Sequence, residues 1–247
     1  MSNRDDIDRI IYGWEYRPGM VAARLVKAAD GREVLQMRVE MGVLQMETTN
    51  RPDGEHPSGM DTFLEYLVNS SLYEGRGFDL SEEDCMEVDR EFLQFHHRRI
   101  CWLALRKFRL AVYDADHTLM LMDYCAAHSL DNEWVASHEQ YRPFVIFQRA
   151  QASALAELEE FGPESAIEEV NKGLTQLREI FEELQIEGPF EEDDMVSQLL
   201  ELKNWIRSQY HIGNSLSEQL ADAVAHEQYE RAATLRDEIA KQRMGHV

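Results

Sequence analysis

The chain is short of basic residues. Of its 247 residues, 25 are Lys or Arg and 47 are Asp or Glu, so the formal net charge is −22. Proteins that bind nucleic acid draw most of their affinity from Lys and Arg side chains that displace counterions from phosphates. Because no large basic segment offsets the acidic excess, the sequence predicts no direct contact with nucleic acid. An acidic surface instead favours solubility or a basic partner.

Cysteines are few as well. The three cysteines, Cys85, Cys101 and Cys125, are an odd number, and none lies in a Cys-x-x-Cys pair. This pattern argues against a disulfide framework and against a thiolate zinc knuckle. It is typical of proteins in a reducing cytoplasm, which is the location we expect.

Long apolar runs are missing. The apolar stretches fall far short of the ~20 residues that a membrane helix requires, and the N-terminal run MSNRDDIDRI is polar and acidic, unlike a signal peptide. We therefore expect no membrane contact. The hydrophobic content of 44% is normal for a globular protein, and 247 residues have room for one large domain or two small ones.

Motifs that carry chemistry are also missing. The chain has no Gly-x-x-x-x-Gly-Lys-Ser/Thr phosphate loop, no Gly-x-Gly-x-x-Gly and no Gly-x-Ser-x-Gly elbow. We therefore expect a protein that is not an enzyme and takes no cofactor. An enzyme of an unrecognised class is the alternative.

Two groups of polar residues deserve comparison with known kinds of site. Asp114 and His117 have i, i+3 spacing on a predicted helix and could share a metal in principle. However, the Glu-x-x-His motif of di-iron bundles does not occur, so we expect no metal. The compact basic cluster is a candidate site for an anion or an acidic segment, or else it neutralises acidic neighbours in a long helix. Its members are His96, His97, Arg98 and Arg99.

The first 55 residues predict a small β module. Residues 21–29 form a candidate strand, and Asp30-Gly31 indicates a two-residue hairpin turn. The return strand, 32–41, alternates apolar and polar side chains, and the apolar phase switches after Gly42, which indicates a bulge or a second turn there. The tetrapeptide VLQM occurs at 34–37 and again at 43–46. We expect Leu35, Met37 and Val39 to face the helices, and Gln36, Arg38 and Glu40 to face solvent or a partner.

From residue 58 onward the apolar spacing predicts only helices. Ser81 and Asp84 form a capping box at the start of a long helix, and Gly162-Pro163 ends one helix and begins the next. We divide the chain into a β module at 1–55, a helical bundle at 58–187, and a linker, long helix and hairpin at 188–247. The predicted fold class is mainly α, with a small N-terminal antiparallel β module and a C-terminal helical hairpin.

The helical region is either an irregular bundle or a set of tetratricopeptide-like helix pairs. Segments 104–115 and 154–170 place alanines at helix contacts and resemble the tetratricopeptide architecture, although no clean repeat period appears. Stacked helix pairs of that kind form concave surfaces that hold peptides.

The C-terminal run LSEQLADAVAHEQYERAATLRDEIAKQ, residues 216–242, resembles the UVR motif. This short helical hairpin occurs in the excision-repair proteins UvrB and UvrC, in some Clp-type ATPases and in the activator of bacterial protein-arginine kinase. The residues that carry the resemblance are Leu220, Ala223, Glu227, Tyr229, Glu230, Ala232, Ala233, Leu235, Arg236, Asp237 and Ile239. The resemblance implies a bacterial protein whose hairpin binds proteins and performs no chemistry.

The same run indicates a hairpin from its residues alone. Ser215 and Glu218 form a capping box, and a break falls near residues 226–228. One apolar face holds Leu216, Leu220, Ala223 and Val224, and a second set at helical spacing holds Tyr229, Ala232, Ala233, Arg236 and Ile239. A two-helix unit of this size buries little surface alone, so it needs a partner in the same chain or in another.

The sequence therefore predicts an adaptor that docks on a protein partner or on a second copy. Our candidate partner-binding residues are Leu220, Ala223, Tyr229, Ala232, Ala233, Leu235, Arg236, Asp237 and Ile239. Two alternatives stay open. One is an accessory factor of nucleotide excision repair, and the other is a regulator of a Clp protease or protein-arginine kinase system. The chain lacks the paired Cys-x-x-Cys motifs of the arginine-kinase activator.

Overall fold

The computed structural model describes residues 7–74, 79–214 and 216–244. It confirms the predicted fold class, because the protein is mainly α-helical with a small antiparallel sheet near its N-terminus. The chain divides into two compact units, Met1–Ala152 and Ser153–Val247. The three-part division drawn from the sequence stays a prediction.

The sheet has three strands in the order β1-β2-β3, and each neighbouring pair is antiparallel. The strands are β1 (Ala22–Lys27), β2 (Glu33–Val39) and β3 (Gly42–Glu47). The two VLQM copies lie in β2 and β3 and pair with each other, so that Gln36 faces Gln45 across the ladder. The phase switch at Gly42 is therefore a second hairpin turn, one of the two predicted explanations.

The first hairpin turn is one residue longer than predicted. The Gly31 N–H donates to the Ala28 carbonyl and the Ala28 N–H to the Arg32 carbonyl, both at 2.9 Å. Ala29, Asp30 and Gly31 thus form a three-residue loop, a type I turn followed by a left-handed glycine. Only Gly31 of these three has positive φ, at 90°. The prediction of a two-residue turn was wrong because Asp-Gly suits both turn types.

The first unit also contains helices, the first of which precedes the sheet in the chain while the others follow it. They are α1 (Asp8–Ile11), α2 (Phe63–Glu74), α3 (Glu82–Ala104), α4 (Phe108–His128) and α5 (Asn132–Glu139), followed by α6 (Arg142–Glu160), which runs through the boundary between the units. A 3-10 turn at Pro57–Gly59 precedes α2. The Ser81–Asp84 capping box at the start of α3 is confirmed. Helix α5 was not predicted, because the sequence indicates a loop at residues 129–137. The sequence also indicates a helix break at residues 75–77, which lie outside the described residues.

One face of the sheet packs on α3 and α4. Leu35 and Met46 are buried in a cluster with Trp102 of α3 and Ala111 of α4, and Met37 packs against it. The opposite face is covered in part by the N-terminal segment. Arg24 stacks on Trp14 at 3.9 Å and donates to Gln36. Gln36 is 8% exposed, so of the two predicted environments, solvent or a partner, solvent was wrong.

Further helices follow in the described part of the second unit. They are α7 (Pro163–Glu183), α8 (Asp194–Tyr210), α9 (Leu216–Ala225) and α10 (Tyr229–Met244), with a 3-10 turn at Phe190–Glu192. Asp193 caps α8 by accepting from the Met195 and Val196 N–H groups. The core beside these helices includes Ala166, Ile167 and Ile206. The stop at Gly162-Pro163 is confirmed, with Gly162 at φ +100°.

Several helices end in a left-handed residue that is not glycine. Arg106 follows α3, Gln185 follows α7, His211 follows α8 and Glu227 follows α9, all with φ between 52° and 58°. Left-handed backbone at this position allows the next N–H to reach a carbonyl in the last turn of the helix. Each non-glycine residue there carries a cost of roughly 1–2 kcal/mol.

Across the described part of the chain, no helix is both long enough and apolar enough to span a membrane.

Candidate functional site in the C-terminal hairpin

Helices α9 and α10 are joined by a tight turn at the predicted break. The Gln228 N–H donates to the Ala223 carbonyl at 2.7 Å, and the Glu227 N–H donates to the Val224 carbonyl at 3.0 Å. These two bonds form a Schellman motif, with Glu227 as its left-handed residue at φ 58°. The predicted break near residues 226–228 is therefore confirmed. Ser215, the first residue of the predicted capping box, lies outside the described residues.

The hairpin has a small interior. Ala223 of α9 packs with Ala232 and Leu235 of α10, and Leu216 and Leu220 border this cluster. Alanines at the centre allow the two helices to approach closely. Ile239 continues the inner stripe and is half-buried. Five of the nine candidate partner-binding residues therefore face inward and hold the hairpin together. They are Leu220, Ala223, Ala232, Leu235 and Ile239.

The other candidate residues point outward. Tyr229 is 68% exposed, and Ala233, Arg236 and Asp237 are also exposed. Val224, which we placed on the inner apolar face, is 53% exposed. The predicted stripes thus mixed two faces, because adjacent residues such as Ala223 and Val224 lie about 100° apart around a helix, so that one is buried and the other exposed.

Three carboxylates lie close in sequence to the exposed apolar side chains of the hairpin tip. Asp222, Glu227 and Glu230 lie within the last turn of α9, the connecting turn and the first turn of α10. His226 lies between them and approaches the Asp222 carboxylate at 3.2 Å. The tip therefore presents two exposed apolar side chains, Val224 and Tyr229, on a segment that carries three carboxylates and one arginine, Arg231.

Glu218 fixes the start of the hairpin to α8. Its carboxylate forms ion pairs with both Lys203 and Arg207, which lie one turn apart on α8. Lys203 also donates to the Asn171 side chain at 2.7 Å. All three charged side chains are largely buried, so these contacts give α9 a defined position within its own unit. The outer face and the tip are not used for this attachment.

The predicted basic cluster is partly buried: its two arginines lie in the core, and its two histidines are half-buried. Arg98 is 1% exposed and forms a bidentate salt bridge with Asp114. Its Nη2 donates to Oδ1 at 2.7 Å and its Nε donates to Oδ2 at 3.0 Å. Its Nη1 donates to the Asn50 carbonyl at 2.8 Å. The internal contacts of Arg98 tie α3 to α4 and to the loop after β3.

Arg99 is equally buried but bonds to neutral groups. Its guanidinium donates to Gln148 Oε1 at 2.8 Å and to Thr118 Oγ1 at 2.9 Å, and approaches His96 Nδ1 at 3.4 Å. Burial lowers the pKa of Arg99 to about 10, so the side chain is still cationic at neutral pH. Burial, with Arg99 and His97 nearby, lowers the pKa of His96 to about 4.

The pKa of His97 is also lowered by burial. The two arginines are buried and the two histidines are half-buried, so the cluster His96, His97, Arg98 and Arg99 does not form one exposed surface. Their binding of an anion or acidic segment stays a prediction.

A second buried carboxylate was missed by the sequence analysis. Glu91 of α3 accepts from the Phe63 and Leu64 N–H groups at 2.7 and 3.1 Å, which caps the first turn of α2. It also contacts His117 Nε2 at 2.9 Å and lies 3.5 Å from Arg51. His117 therefore pairs with Glu91 and not with Asp114.

The signal for this network was present in the sequence. Glu91 and Arg98 fall in the same helical stripe as Phe95 and Trp102, where a charged side chain must be buried with a partner. Within the described residues, no three His, Cys, Asp or Glu side chains are grouped so as to hold a metal ion.

Comparison with known proteins identifies the hairpin and nothing larger. Residues 214–242 match the family model of the UvrB/uvrC motif, UVR. This match confirms the resemblance seen in the sequence, and it covers α9 and most of α10. No curated protein and no solved structure matches the chain.

Proposed function

We propose that this protein is a non-enzymatic adaptor that docks on a protein partner through the tip and outer face of its C-terminal hairpin. The observation that carries the proposal is the division of the hairpin into two faces. Its interior consists of small and aliphatic side chains, while Tyr229 and Val224 stay exposed beside the turn. Aromatic residues bury a large area on binding and often dominate interface energies.

The match to an interaction motif supports the same proposal. The UVR match covers the two helices that form these faces. Glu218 pairs with Lys203 and Arg207 near the start of α9, whereas the tip lies at the other end of that helix. A partner can therefore contact the tip without displacing these ion pairs.

The charge of the tip favours a partner with basic residues. The tip carries three carboxylates, Asp222, Glu227 and Glu230, against one arginine, Arg231, so two identical tips in contact would both be net acidic. Like charges placed opposite each other oppose association. We therefore propose a different protein as the partner, one with Lys or Arg around an apolar pocket, and treat self-association as an outcome to be measured.

The test is Tyr229→Asp in the full chain. Tyr229 is exposed and is the first residue of α10, where an acidic side chain is compatible with the helix N-terminus. We expect capture of the partner from a lysate of the source cells to fall at least tenfold, with an unchanged thermal melt.

Tyr12→Asp is the matched control, because Tyr12 is 89% exposed and lies in the other unit. It should capture the partner as well as the unaltered chain does. Equal capture by both variants would contradict the proposal. Light scattering on the same samples separates a second copy from a different partner.

A further inference from the structure

Strand β3 is one edge of the sheet, and its backbone has a side that β2 does not use. A two-residue turn joins β2 to β3, so Val39 and Gly42 are the closing, hydrogen-bonded pair of this ladder. Along an antiparallel ladder, pairs that exchange hydrogen bonds alternate with pairs that do not. Val43, Gln45 and Glu47 belong to the second kind of pair, so their N–H and C=O groups point away from β2.

The outward backbone groups of β3 are only partly used. The Glu47 N–H donates to the Pro52 carbonyl at 2.8 Å, and the Glu47 carbonyl accepts from Arg98 Nη1 at 3.2 Å. In the part of the chain that the structure describes, no such partner reaches the outward groups of Val43 and Gln45. Two N–H donors and two C=O acceptors are therefore open at this edge, and Gln45 itself is exposed.

The open edge lacks the features that usually prevent strand pairing. Natural edge strands are protected by charged side chains, especially Lys, by Pro or by a bulge. Residues 42–46 contain no charged residue and no Pro, and their pairing with β2 is continuous. The opposite edge of the sheet, β1, carries Arg24 and Lys27. Of the two edges, β3 is therefore better suited to accept a further strand.

The sheet is also the segment through which two copies of this acidic chain repel each other least. Residues 22–47 contain four basic and four acidic residues, so this segment is neutral in a chain whose net charge is −22. The whole acidic excess therefore lies in other segments. Because like charges oppose association, a contact between copies is favoured at the sheet over those segments.

The sequence of β3 pairs with a copy of itself within this molecule. VLQM at 43–46 lies antiparallel to VLQM at 34–37 in β2, which places Gln45 opposite Gln36. Gln36 Nε2 donates to Gln45 Oε1 at 3.0 Å across this pair. The β3 strand of a second copy brings the same tetrapeptide, again antiparallel, to the open side.

We propose that two copies of this chain join their sheets edge to edge through β3. When Leu44 lies opposite Leu44 of the second copy, Val43 of each chain pairs with Gln45 of the other, and hydrogen bonds use all the open groups. Glu47 keeps its own partners in this register, and the paired residues 42–46 bring no charges together. The same patch serves both copies, as a closed twofold dimer requires.

The test is sedimentation equilibrium of the full chain over a series of protein concentrations. We expect a monomer–dimer equilibrium that rising salt strengthens, because salt screens the repulsion between two acidic chains. Val43→Pro removes one open N–H from each copy but no bond of the β2–β3 ladder, so it should weaken association by at least about tenfold. Lys27→Pro is the matched control at the β1 edge, where the Lys27 N–H also points outward, and it should associate as the unaltered chain does.

Amide exchange of the unaltered chain is a second measurement, which decides the question even if Val43→Pro perturbs the fold. Exchange at the Val43 and Gln45 N–H groups should slow as the protein concentration rises, while the outward Leu25 N–H of β1 should be unaffected. Tyr229→Asp should dimerise normally, which separates this contact from docking by the hairpin.

Four outcomes would each overturn the proposal. They are a chain that stays monomeric at every concentration, equal association of Val43→Pro and the unaltered chain, exchange at Val43 and Gln45 that does not depend on concentration, and a dimer that Tyr229→Asp abolishes.

Discussion

The helical core of the first unit buries charged side chains among its apolar ones, whereas the buried cluster of the C-terminal hairpin is apolar. The first unit buries charged residues, among them Arg98, Asp114 and Glu91, each with partners from other elements. The hairpin buries alanine and leucine and leaves Tyr229 and Val224 outside. Buried ion pairs demand a defined geometry, whereas exposed apolar side chains gain stability only when something covers them. The contrast supports the proposal that the hairpin binds a partner, and it predicts that the buried charges of the first unit serve its stability.

The largest effect that would sharpen this contrast is expected at Arg98. Arg98→Ala leaves the Asp114 carboxylate buried without its cation and removes the bond to the Asn50 carbonyl. We expect a loss of about 3–5 kcal/mol in the free energy of unfolding, measured in urea.

Arg90→Ala is the control for Arg98→Ala. Arg90 is exposed and pairs with Glu87 at 3.1 Å, so its removal should cost no more than about 1 kcal/mol. The double variant Arg98→Met, Asp114→Leu should recover much of the lost stability. If the single Arg98 variant is no less stable than the Arg90 variant, the buried pair does not have the structural role assigned to it.

A smaller and more local effect is expected in the hairpin. Leu235→Ala removes the largest side chain of the buried cluster around Ala223 and Ala232. We expect a local loss of about 2–3 kcal/mol. Amide hydrogen exchange should accelerate across 216–244 and stay unchanged in α3 and α4. Thr234→Ala, at the exposed neighbouring position, should leave exchange unaltered, and acceleration throughout the chain would show that the hairpin core is not separable.

Acidification should weaken the first unit in a way that depends on His96. The folded protein holds the pKa of His96 at about 4, below its ordinary value of 6.5. Between these values the unfolded chain binds a proton that the folded chain does not. The contribution of His96 to the free energy of unfolding is therefore fully present above pH 6.5 and is lost as the pH falls towards 4.

His96→Gln tests that pH dependence, because its amide oxygen can still accept from Arg99 without titrating. Urea unfolding at a series of pH values should show a shallower loss of stability for this variant than for the unaltered chain. Parallel curves would mean that His96 is not responsible.

The smallest expected effect is a gain at the hairpin turn. Glu227→Gly removes a side chain from a left-handed residue, at φ 58°, and should stabilise the hairpin by about 1 kcal/mol. Glu227→Ala keeps a Cβ at the same position and should give less. A thermal melt or exchange profile in which alanine stabilises as much as glycine would point to the carboxylate, and not the backbone, as the source of strain.

Periodicity and turn residues predicted the elements of this fold but not the pairing of its polar groups. The capping box at Ser81 and the break near 226–228 depend on neighbours in sequence, and both are confirmed. The stripe that Arg98 shares with Phe95 and Trp102 indicates a buried position, but its partner Asp114 lies on another helix, and local spacing does not specify that contact. Gln36 is buried for the same reason, since the N-terminal segment folds back over the sheet.

The hairpin shows the same limit on a smaller scale. The matched motif identifies the two helices, but Val224 and Ala223 are adjacent apolar residues and only one can face inward. Small residues give weak amphipathic patterns, so Ala232 and Ala233 were assigned to one face when they lie on different ones. Tyr229 has helical spacing to Ala232, yet it is 68% exposed and lies outside the buried cluster.

Hydrogen–deuterium exchange on the complex with the captured partner tests the central claim most directly. The account predicts slower exchange at residues 222–232 of the hairpin on binding, with unchanged exchange in α3 and α4, which hold the buried ion pairs. Protection confined to the first unit, or a hairpin that exchanges equally fast with and without the partner, would contradict it.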